Sequence, residues 1–304
     1  MSRLSLLSFF PLALACNGTD SNGSSDGGQA DAAPPTIATP PAAARLPELA
    51  DWTCRKGWTP RTVARKTAAE HTICEPPQRS DCKTGEAQWL GEAACQAIGS
   101  PCPASGFLGV QDVRALAAGF NGAVLHVKGG ATGGDGTAQK PFGTASEALA
   151  AAKAGDIVHL AAGPHSGSVT LSKAVAVVGA CVEKTLVTST STAASATVQI
   201  TAAGARLANL GVTGKKGGVL VGAPGGKVSL AQLEVRGTSS FALMMLPSAA
   251  TLSIDRLAAR DIAGPGLALG EGAVIDGDRL SFERLQGYGV LVGSGGTGKP
   301  PRTC

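Results

Sequence analysis

Two Asp-Arg pairs are the residues whose types and spacing most directly suggest chemistry. Asp255-Arg256 and Asp278-Arg279 lie 23 residues apart. Neighbouring acidic and basic groups could contact a cation or an acidic sugar. Alternatively, opposite charges on successive turns of the chain pair on a solvated edge, where an ion pair contributes little. Because only two such pairs occur, the sequence favours the ion-pair interpretation and leaves Asp255, Arg256, Asp278 and Arg279 as candidate ligand contacts.

Few other residues are candidates for general acid-base catalysis. His159 and His165 could act as bases, but no nucleophile or orienting carboxylate accompanies them in the sequence, so a surface position is predicted for both. Asp276, Asp278 and Glu283 could lie near one edge, although IDGDR resembles a hydrolase carboxylate pair only weakly. The catalytic residues, if any, stay unknown.

Cysteines define the N-terminal half. Five of them fall between positions 54 and 102, and such a short segment of an exported chain usually needs disulfides to be stable. Zinc is disfavoured because no C-x-x-C pair is present, and no metal site is predicted. The seven disulfide candidates leave one thiol over, free or paired with another chain: Cys54, Cys74, Cys82, Cys95, Cys102, Cys181 and Cys304.

The first residues predict export. Arg3 precedes the apolar run 4–15, and Leu12 to Cys16 resembles a bacterial lipobox, so residues 1–16 are predicted to be a lipoprotein signal peptide with lipid attached to Cys16. The alternative is ordinary secretion with cleavage near Ala15. Asn17 is compatible with sorting to an outer membrane. Residues 17–49, rich in Gly, Ser, Ala and Pro, are predicted to form a disordered linker.

Composition restricts the remaining fold and partner classes. The chain has 42 glycines, 4% aromatic residues and 16% charged residues, which suits stacked short strands better than a conventional large core. The net charge of +4 is dispersed along the chain. Without a basic stripe interleaved with aromatics, nucleic acid is not expected as a partner.

A period near 23 residues is the strongest pattern. One apolar series advances by 23, 24 and 23 residues through Leu210, Leu233, Leu257 and Leu280. A second advances by similar steps through Val198, Val221, Met245, Leu269 and Val292. Each repeat contains three short apolar pieces, with a bend column at Asn209, Gln232, Arg256 and Arg279. Three strands per coil predict three parallel sheets around a narrow core; a leucine-rich repeat would need a fixed Asn and many more leucines.

A helix is predicted immediately before the repeats. Thr144 and Glu147 have the spacing of a capping box. Small apolar residues recur at helical spacing as far as Ala152, and Gly155 can end the helix. Residues 157–160 then read as the first strand. We expect this helix to cover the open end of the stack.

The stretch GGDGTAQKPFGTASEALAAAKAGDIVHLAAGPHSGSVTL resembles the opening of the right-handed parallel β-helix, or pectin-lyase-like, superfamily. The resemblance implies an all-β fold and supplies its handedness. The expected organisation is a Cys-rich module at 50–120, a β-helix of about five coils with an N-terminal capping helix at 121–293, and a tail at 294–304, which either folds over the last coil or leaves an exposed edge.

Enzymes of this superfamily act on the outward face of the first sheet. Alternation along the strands predicts the outward column as Thr197, Leu220, Met244, Ala268 and Leu291. It contains no carboxylate, no base and no aromatic ring for a sugar to stack on. An apolar column on a sheet exterior should be covered, and we expect Leu220, Met244, Ala268 and Leu291 to be covered by the Cys-rich module or by a partner.

These observations predict an outer-membrane or cell-surface lipoprotein, otherwise a secreted protein, whose β-helix is a binding or structural module. The alternative function is a carbohydrate-active enzyme, a polysaccharide lyase or glycoside hydrolase. No cofactor is predicted. The expected partners are a membrane, through the lipid anchor, and a polysaccharide or another surface protein.

Overall fold

The computed structural model describes residues 53–54, 57–65 and 68–293. Two short helices and nineteen strands follow one another in this part of the chain. The helices are α1 (Val110–Leu116) and α2 (Ala145–Ala151). The strands are β1 (Thr59–Arg65), β2 (Ala68–Glu75), β3 (Glu86–Ala87), β4 (Gln96–Ala97), β5 (Val124–Val127), β6 (Ile157–Leu160), β7 (Gly163–Ser166), β8 (Val169–Leu171), β9 (Ala176–Gly179), β10 (Thr185–Ser189), β11 (Ala196–Ile200), β12 (Arg206–Gly214), β13 (Gly217–Val221), β14 (Lys227–Arg236), β15 (Leu243–Met245), β16 (Thr251–Ile262), β17 (Leu267–Leu269), β18 (Val274–Leu285) and β19 (Val290–Val292).

The predicted parallel β-helix is confirmed by the sheet topology. One sheet has six strands in the order β19-β17-β15-β13-β11-β8, and every neighbouring pair in it is parallel. Each strand belongs to one coil, so the stack has six coils rather than about five. The extra coil lies at the start, where Leu171 pairs with Ile200 after a step of 29 residues. Its longer turns conceal it from a search for a 23-residue period.

The second sheet has nine strands and carries the bend. In β12, β14, β16 and β18 the predicted second and third strands of a coil are joined through one residue of left-handed conformation. These residues have φ between 54° and 58°: Asn209, Gln232, Arg256 and Arg279. The predicted bend column is therefore confirmed, although an L residue with a side chain rarely adopts this conformation.

The leucine series is also confirmed. Leu210 pairs with Leu233, Leu233 with Leu257 and Leu257 with Leu280, and the first three are essentially inaccessible to solvent. The second series is wrong at its first member, because Val198 pairs with Val219 and Ile200 is the residue opposite Val221. Only 21 residues separate β11 from β13 in this register, so a fixed step slips by two positions.

Helix α2 covers the first coil, as expected. Thr144 Oγ1 accepts a hydrogen bond from Glu147 N at 3.1 Å, and Glu147 Oε2 accepts one from Thr144 N at 3.3 Å, completing the capping box. Ala145, Ala148 and Leu149 join the core of the stack. At the other end, Lys173 Nζ donates to the carbonyl oxygens of residues 149, 150 and 152. Within the described residues, no helix has the length and apolarity needed to cross a bilayer.

Six of the predicted cysteines form three disulfides. The pairs are Cys54–Cys74, Cys82–Cys95 and Cys102–Cys181. The third joins the Cys-rich segment to the chain between β9 and β10. Cys16 and Cys304 lie outside the described residues, as do the signal peptide and linker predicted at 1–49 and the tail at 294–304.

Candidate functional site

The outer faces of the nine-stranded sheet are covered by the chain that precedes the β-helix. Before the bend, Val113 and Ala117 of the α1 region pack on Ile157, Ala176 and Val178. Arg206 Nε also donates to the carbonyl of Leu116 at 2.6 Å. This surface is therefore an internal interface.

After the bend, the Cys-rich segment covers the sheet. Ala87, Trp89 and Ile98 pack with Val182 and with Ala258 of β16. Asn209, the bend residue of β12, links the same segment to the coils. Its Oδ1 accepts a hydrogen bond from Ser100 N at 2.9 Å, and its Nδ2 donates to Gly179 O at 2.9 Å. A cavity of about 610 Å³ lies where this segment meets residues 182 and 183, lined by Lys83, Glu86, Ser100 and Glu183 among others.

A buried ion cluster fixes the same interface. Glu234 has no exposed surface and Arg260 is 4% exposed, and their Oε1 and Nη1 atoms are 3.2 Å apart. Arg260 also forms an ion pair with Glu283 at 3.1 Å and donates to the carbonyls of Cys82, Lys83 and Glu86. Glu234 Oε2 accepts from Gly85 N at 3.2 Å. Glu234 and Arg260 therefore each have partners on both sides of the interface, while Glu234 Oε1 and Arg260 Nε form ion pairs without hydrogen-bond geometry.

Burial raises the pKa of the Glu234 carboxyl, while the charges of Arg236 and Arg260 act to lower it. The geometry indicates that the cluster stabilises the interface, because its members contact one another and the backbone of residues 82–86. Alternation along β14 would have assigned Glu234 to solvent. Its burial is a consequence of the covering segment, which strand periodicity does not reveal.

The six-stranded sheet has a different exterior. Its outer column runs from the first coil to the last through Thr170, Gln199, Leu220, Met244, Ala268 and Leu291. The predicted Thr197 is wrong, because Gln199 is the residue opposite Leu220. Thr197 is buried and its hydroxyl donates to Thr213 O at 3.0 Å. The same two-residue slip in register causes this error.

We call Leu220, Met244, Ala268 and Leu291 the aliphatic face. Leu220 and Met244 are partly exposed, Ala268 is 7% exposed and Leu291 is 45% exposed. The described residues of the Cys-rich segment pack on the other sheet and do not cover this face, and cover by a partner stays a prediction. The whole outer column has no carboxylate, no base and no aromatic ring, and it supplies nothing that could abstract a proton or protonate a leaving group.

The predicted Asp and Arg residues come together at the bend. Asp255 Oδ1 accepts from Arg279 Nη2 at 2.9 Å, between coils, and its Oδ2 accepts from Arg256 Nε at 3.2 Å. Arg279 Nε is 3.2 Å from Asp278. The four residues therefore form a partly exposed ladder of ion pairs, which accounts for the pattern seen in the sequence. Their role as ligand contacts stays a prediction. No group of three or more His, Cys, Asp or Glu suited to a metal occurs in the described part of the chain.

Both histidines predicted at the surface are buried, which corrects the sequence interpretation. His165 is 3% exposed and lies in line with Val187 in the core, where its Nε2 is 2.8 Å from Ala161 O. His159 has no exposed surface. It is paired with His126 on β5 and lies under Phe107. Burial lowers the pKa of both His159 and His165, so neither is placed to act on a substrate.

No protein-family model matches the sequence, and no curated protein is similar to it. Two solved structures match part of this chain. A pectin methylesterase in complex with a hexasaccharide has 11% sequence identity and a TM-score of 0.32, over 52% of this chain and 66% of that protein. A pectin methylesterase from Aspergillus niger has 13% identity and a TM-score of 0.33, over 58% of this chain and 82% of that protein. By its own sheet topology and six coils, the chain has a parallel β-helix fold.

Proposed function

We propose that this protein is an exported, surface-tethered binding module that contacts another surface protein through the aliphatic face. One observation carries the proposal. The preceding chain covers the nine-stranded sheet before and after the bend, whereas the six-stranded sheet presents an aliphatic column that is partly open to solvent. Apolar surface of this kind on a rigid sheet is typical of a contact site.

The chemistry of the face favours a protein over a sugar. Its four members occupy successive coils, so at about 4.8 Å per strand they extend over about 15 Å. Aliphatic side chains bury well against the apolar core of a protein interface. A sugar would need aromatic rings or polar groups, and Gln199 and Thr170 supply these only at the far end of the column. The alternative, a carbohydrate-active function, is supported by the fold alone. Since one fold can host many unrelated activities, this support is weaker than support from a site.

Site-specific photo-crosslinking tests this proposal. A benzophenone amino acid at position 220 of the full chain, expressed in its own cells, should give a discrete protein adduct, identified by mass spectrometry and then purified. Leu220→Glu and Met244→Glu should each weaken binding to the purified partner protein at least tenfold, since each substitution loses about 1.5 to 3 kcal/mol of apolar burial. Ile73→Glu is the matched control, because Ile73 is 43% exposed but lies on β2 of the Cys-rich segment.

Two results would contradict the binding module. Adducts at position 220 that consist of glycan, or binding of the purified protein that survives both Glu substitutions, would remove the aliphatic face as the contact site. Release of methanol, reducing ends or unsaturated products from pectin by the purified chain would replace it with the enzyme alternative.

The tether is part of the same proposal. Lipid on Cys16 would hold the folded body at a membrane surface, with residues 17–49 supplying reach. Cys16→Ser should move the protein from the membrane fraction to the soluble exported fraction and abolish labelling by an alkyne fatty acid. Leaving Cys16 intact and replacing Ser24 by alanine should change neither. Membrane retention of the Cys16→Ser variant would contradict lipid anchoring.

A further inference from the structure

Three aromatic rings pack together where the chain before the β-helix meets the first coils. Phe107 lies 5.1 Å from His126 and 5.3 Å from His159, between ring centroids, and the two histidines are 5.3 Å apart. His126 is 8% exposed and His159 is not exposed at all. The chain around Phe107 therefore shields the two histidines from solvent.

Three of the four imidazole nitrogens are buried there without a hydrogen-bond partner. Neither nitrogen of His159 has a hydrogen-bond partner, and Nδ1 of His126 also lacks one. A buried polar group without a partner lowers stability even when neutral, and a buried unpaired charge lowers it far more. The arrangement therefore tolerates two neutral rings and strongly disfavours an imidazolium.

The covering chain is attached in a way that would allow it to open. Residues 105–117, here the latch segment, contact the coils through Phe107, Val113 and Ala117. Two hydrogen bonds add to these contacts, from Ala162 N to Gly106 O at 2.7 Å and from Arg206 Nε to Leu116 O at 2.6 Å. Just before it, the Cys102–Cys181 disulfide fixes the chain covalently to the coil. The latch segment could thus leave the sheet while the Cys-rich segment stays in place.

We propose that the latch segment and the His126–His159 pair form a pH-sensitive latch, closed at neutral pH and opened by protonation of the histidines in mild acid. Opening would uncover an apolar strip of the nine-stranded sheet that includes Ile157, Ala176 and Val178. The proposal is independent of the aliphatic face and of the lipid anchor.

Charged groups around the pair do not offset protonation. Residues 105–108 are Ser-Gly-Phe-Leu and β9 is Ala-Val-Val-Gly, so neither carries a charge. On the flanking chain, Asp156 is occupied by the amides of Ala123 and Lys153, and Arg114 of α1 donates to Gly122 O. The other charged residues near the pair are exposed: Asp112 on α1, Lys128, Lys153, and Asp135 beside the Gly136 carbonyl that accepts from His126 N. The one charge that acts on the His159 pKa is that of His126, which disfavours protonation further.

The size of the pH response follows from the pKa of His159 in the closed and the open state of the latch. Burial and then the charge of His126 lower the pKa of His159 from 6.5 to about 3 in the closed state. A base whose pKa is depressed in the closed state stabilises that state at high pH, and the stabilisation is lost as pH falls below the open-state value of 6.5. Between pH 7.5 and 5.0, His159 alone should shift the closed-to-open equilibrium about 30-fold toward open.

Hydrogen-deuterium exchange of the full chain measures this shift. Protection of the amides in residues 106–117, normalised at each pH to an unstructured reference peptide, should fall about 30-fold from pH 7.5 to 5.0, while β14 keeps its protection. The double variant His126→Leu/His159→Leu should lose the pH response. His165→Gln, which alters a buried histidine outside the cluster, should keep it.

Equal protection of residues 106–117 at the two pH values, or an unchanged pH response in the double variant, would overturn the latch. If the double variant does not fold, the wild-type titration decides alone. A latch loses protection of residues 106–117 progressively as the pH falls below 6.5 while β14 is still protected, whereas loss of both together would show global acid unfolding instead.

Discussion

Replacing Cys102 and Cys181 together by alanine should lower the free energy of unfolding by about 4 to 5 kcal/mol. The disulfide links residues 79 positions apart, and a cross-link stabilises a fold mainly by restricting its unfolded chain, more so for a longer loop. It also joins the Cys-rich segment to the coil that this segment covers. Guanidinium unfolding followed by tryptophan fluorescence gives the value.

The Cys82–Cys95 disulfide is the matched control. It links residues only 13 positions apart, so the double alanine variant should lose only about 3 kcal/mol by the same relation. Both double variants leave no unpaired thiol from the broken pair. An equal or larger loss for Cys82–Cys95 would show that loop length does not govern the stabilisation here.

Replacing Arg260 by methionine should cost about 3 to 5 kcal/mol, because removing one member of a buried ion cluster leaves the others uncompensated. Glu234, which has no exposed surface, would keep Arg236 as its one charged partner among the described residues, beside the amide of Gly85. Glu283 would lose its 3.1 Å partner, and the carbonyls of Cys82, Lys83 and Glu86 would lose their donor. Equilibrium unfolding measures the loss, and exchange of residues 82–98 should rise with it.

Arg236→Met separates the cluster from a simple loss of charge. Arg236 pairs with the same carboxylate at 2.8 Å, but its side chain is 27% exposed, so we expect a cost of about 1 kcal/mol. If Arg236→Met costs as much as Arg260→Met, the contacts to the Cys-rich segment do not contribute as proposed. Glu234→Leu combined with Arg260→Met should be milder than Arg260→Met alone, since it removes the orphaned charge.

The stack of coils was predictable because its signal is local and repeated. A leucine on each coil must face the leucine above it, and the bend residue must recur with it, so Leu233 and Gln232 are both placed by their spacing. The first coil falls outside the 23-residue period because its turns are longer. The slip at Val198 has the opposite cause, since the step from β11 to β13 is two residues shorter than the period.

The environment of single residues was less predictable. His159 and Glu234 occupy positions that alternation assigns to the exterior, yet both are fully buried. What buries them is chain from residues 82–117, more than 40 positions earlier in the sequence. No strand pattern encodes this docking. By contrast, the four members of the aliphatic face were predictable from strand alternation, and only Thr197 of the predicted outward column was wrong.

The two ends of the coil stack differ in a way that sets where it unwinds. The first coil is closed by α2 and by a covalent link nearby. Within the described residues β19 is an edge strand, and its residues Val290, Leu291 and Val292 are 41%, 45% and 46% exposed. In a linear array each unit is stabilised by its neighbours, so a terminal unit with one neighbour frays first. Unfolding should therefore proceed from the sixth coil toward the first. Force applied through the N-terminus would act first on the coils that are most stable against unfolding.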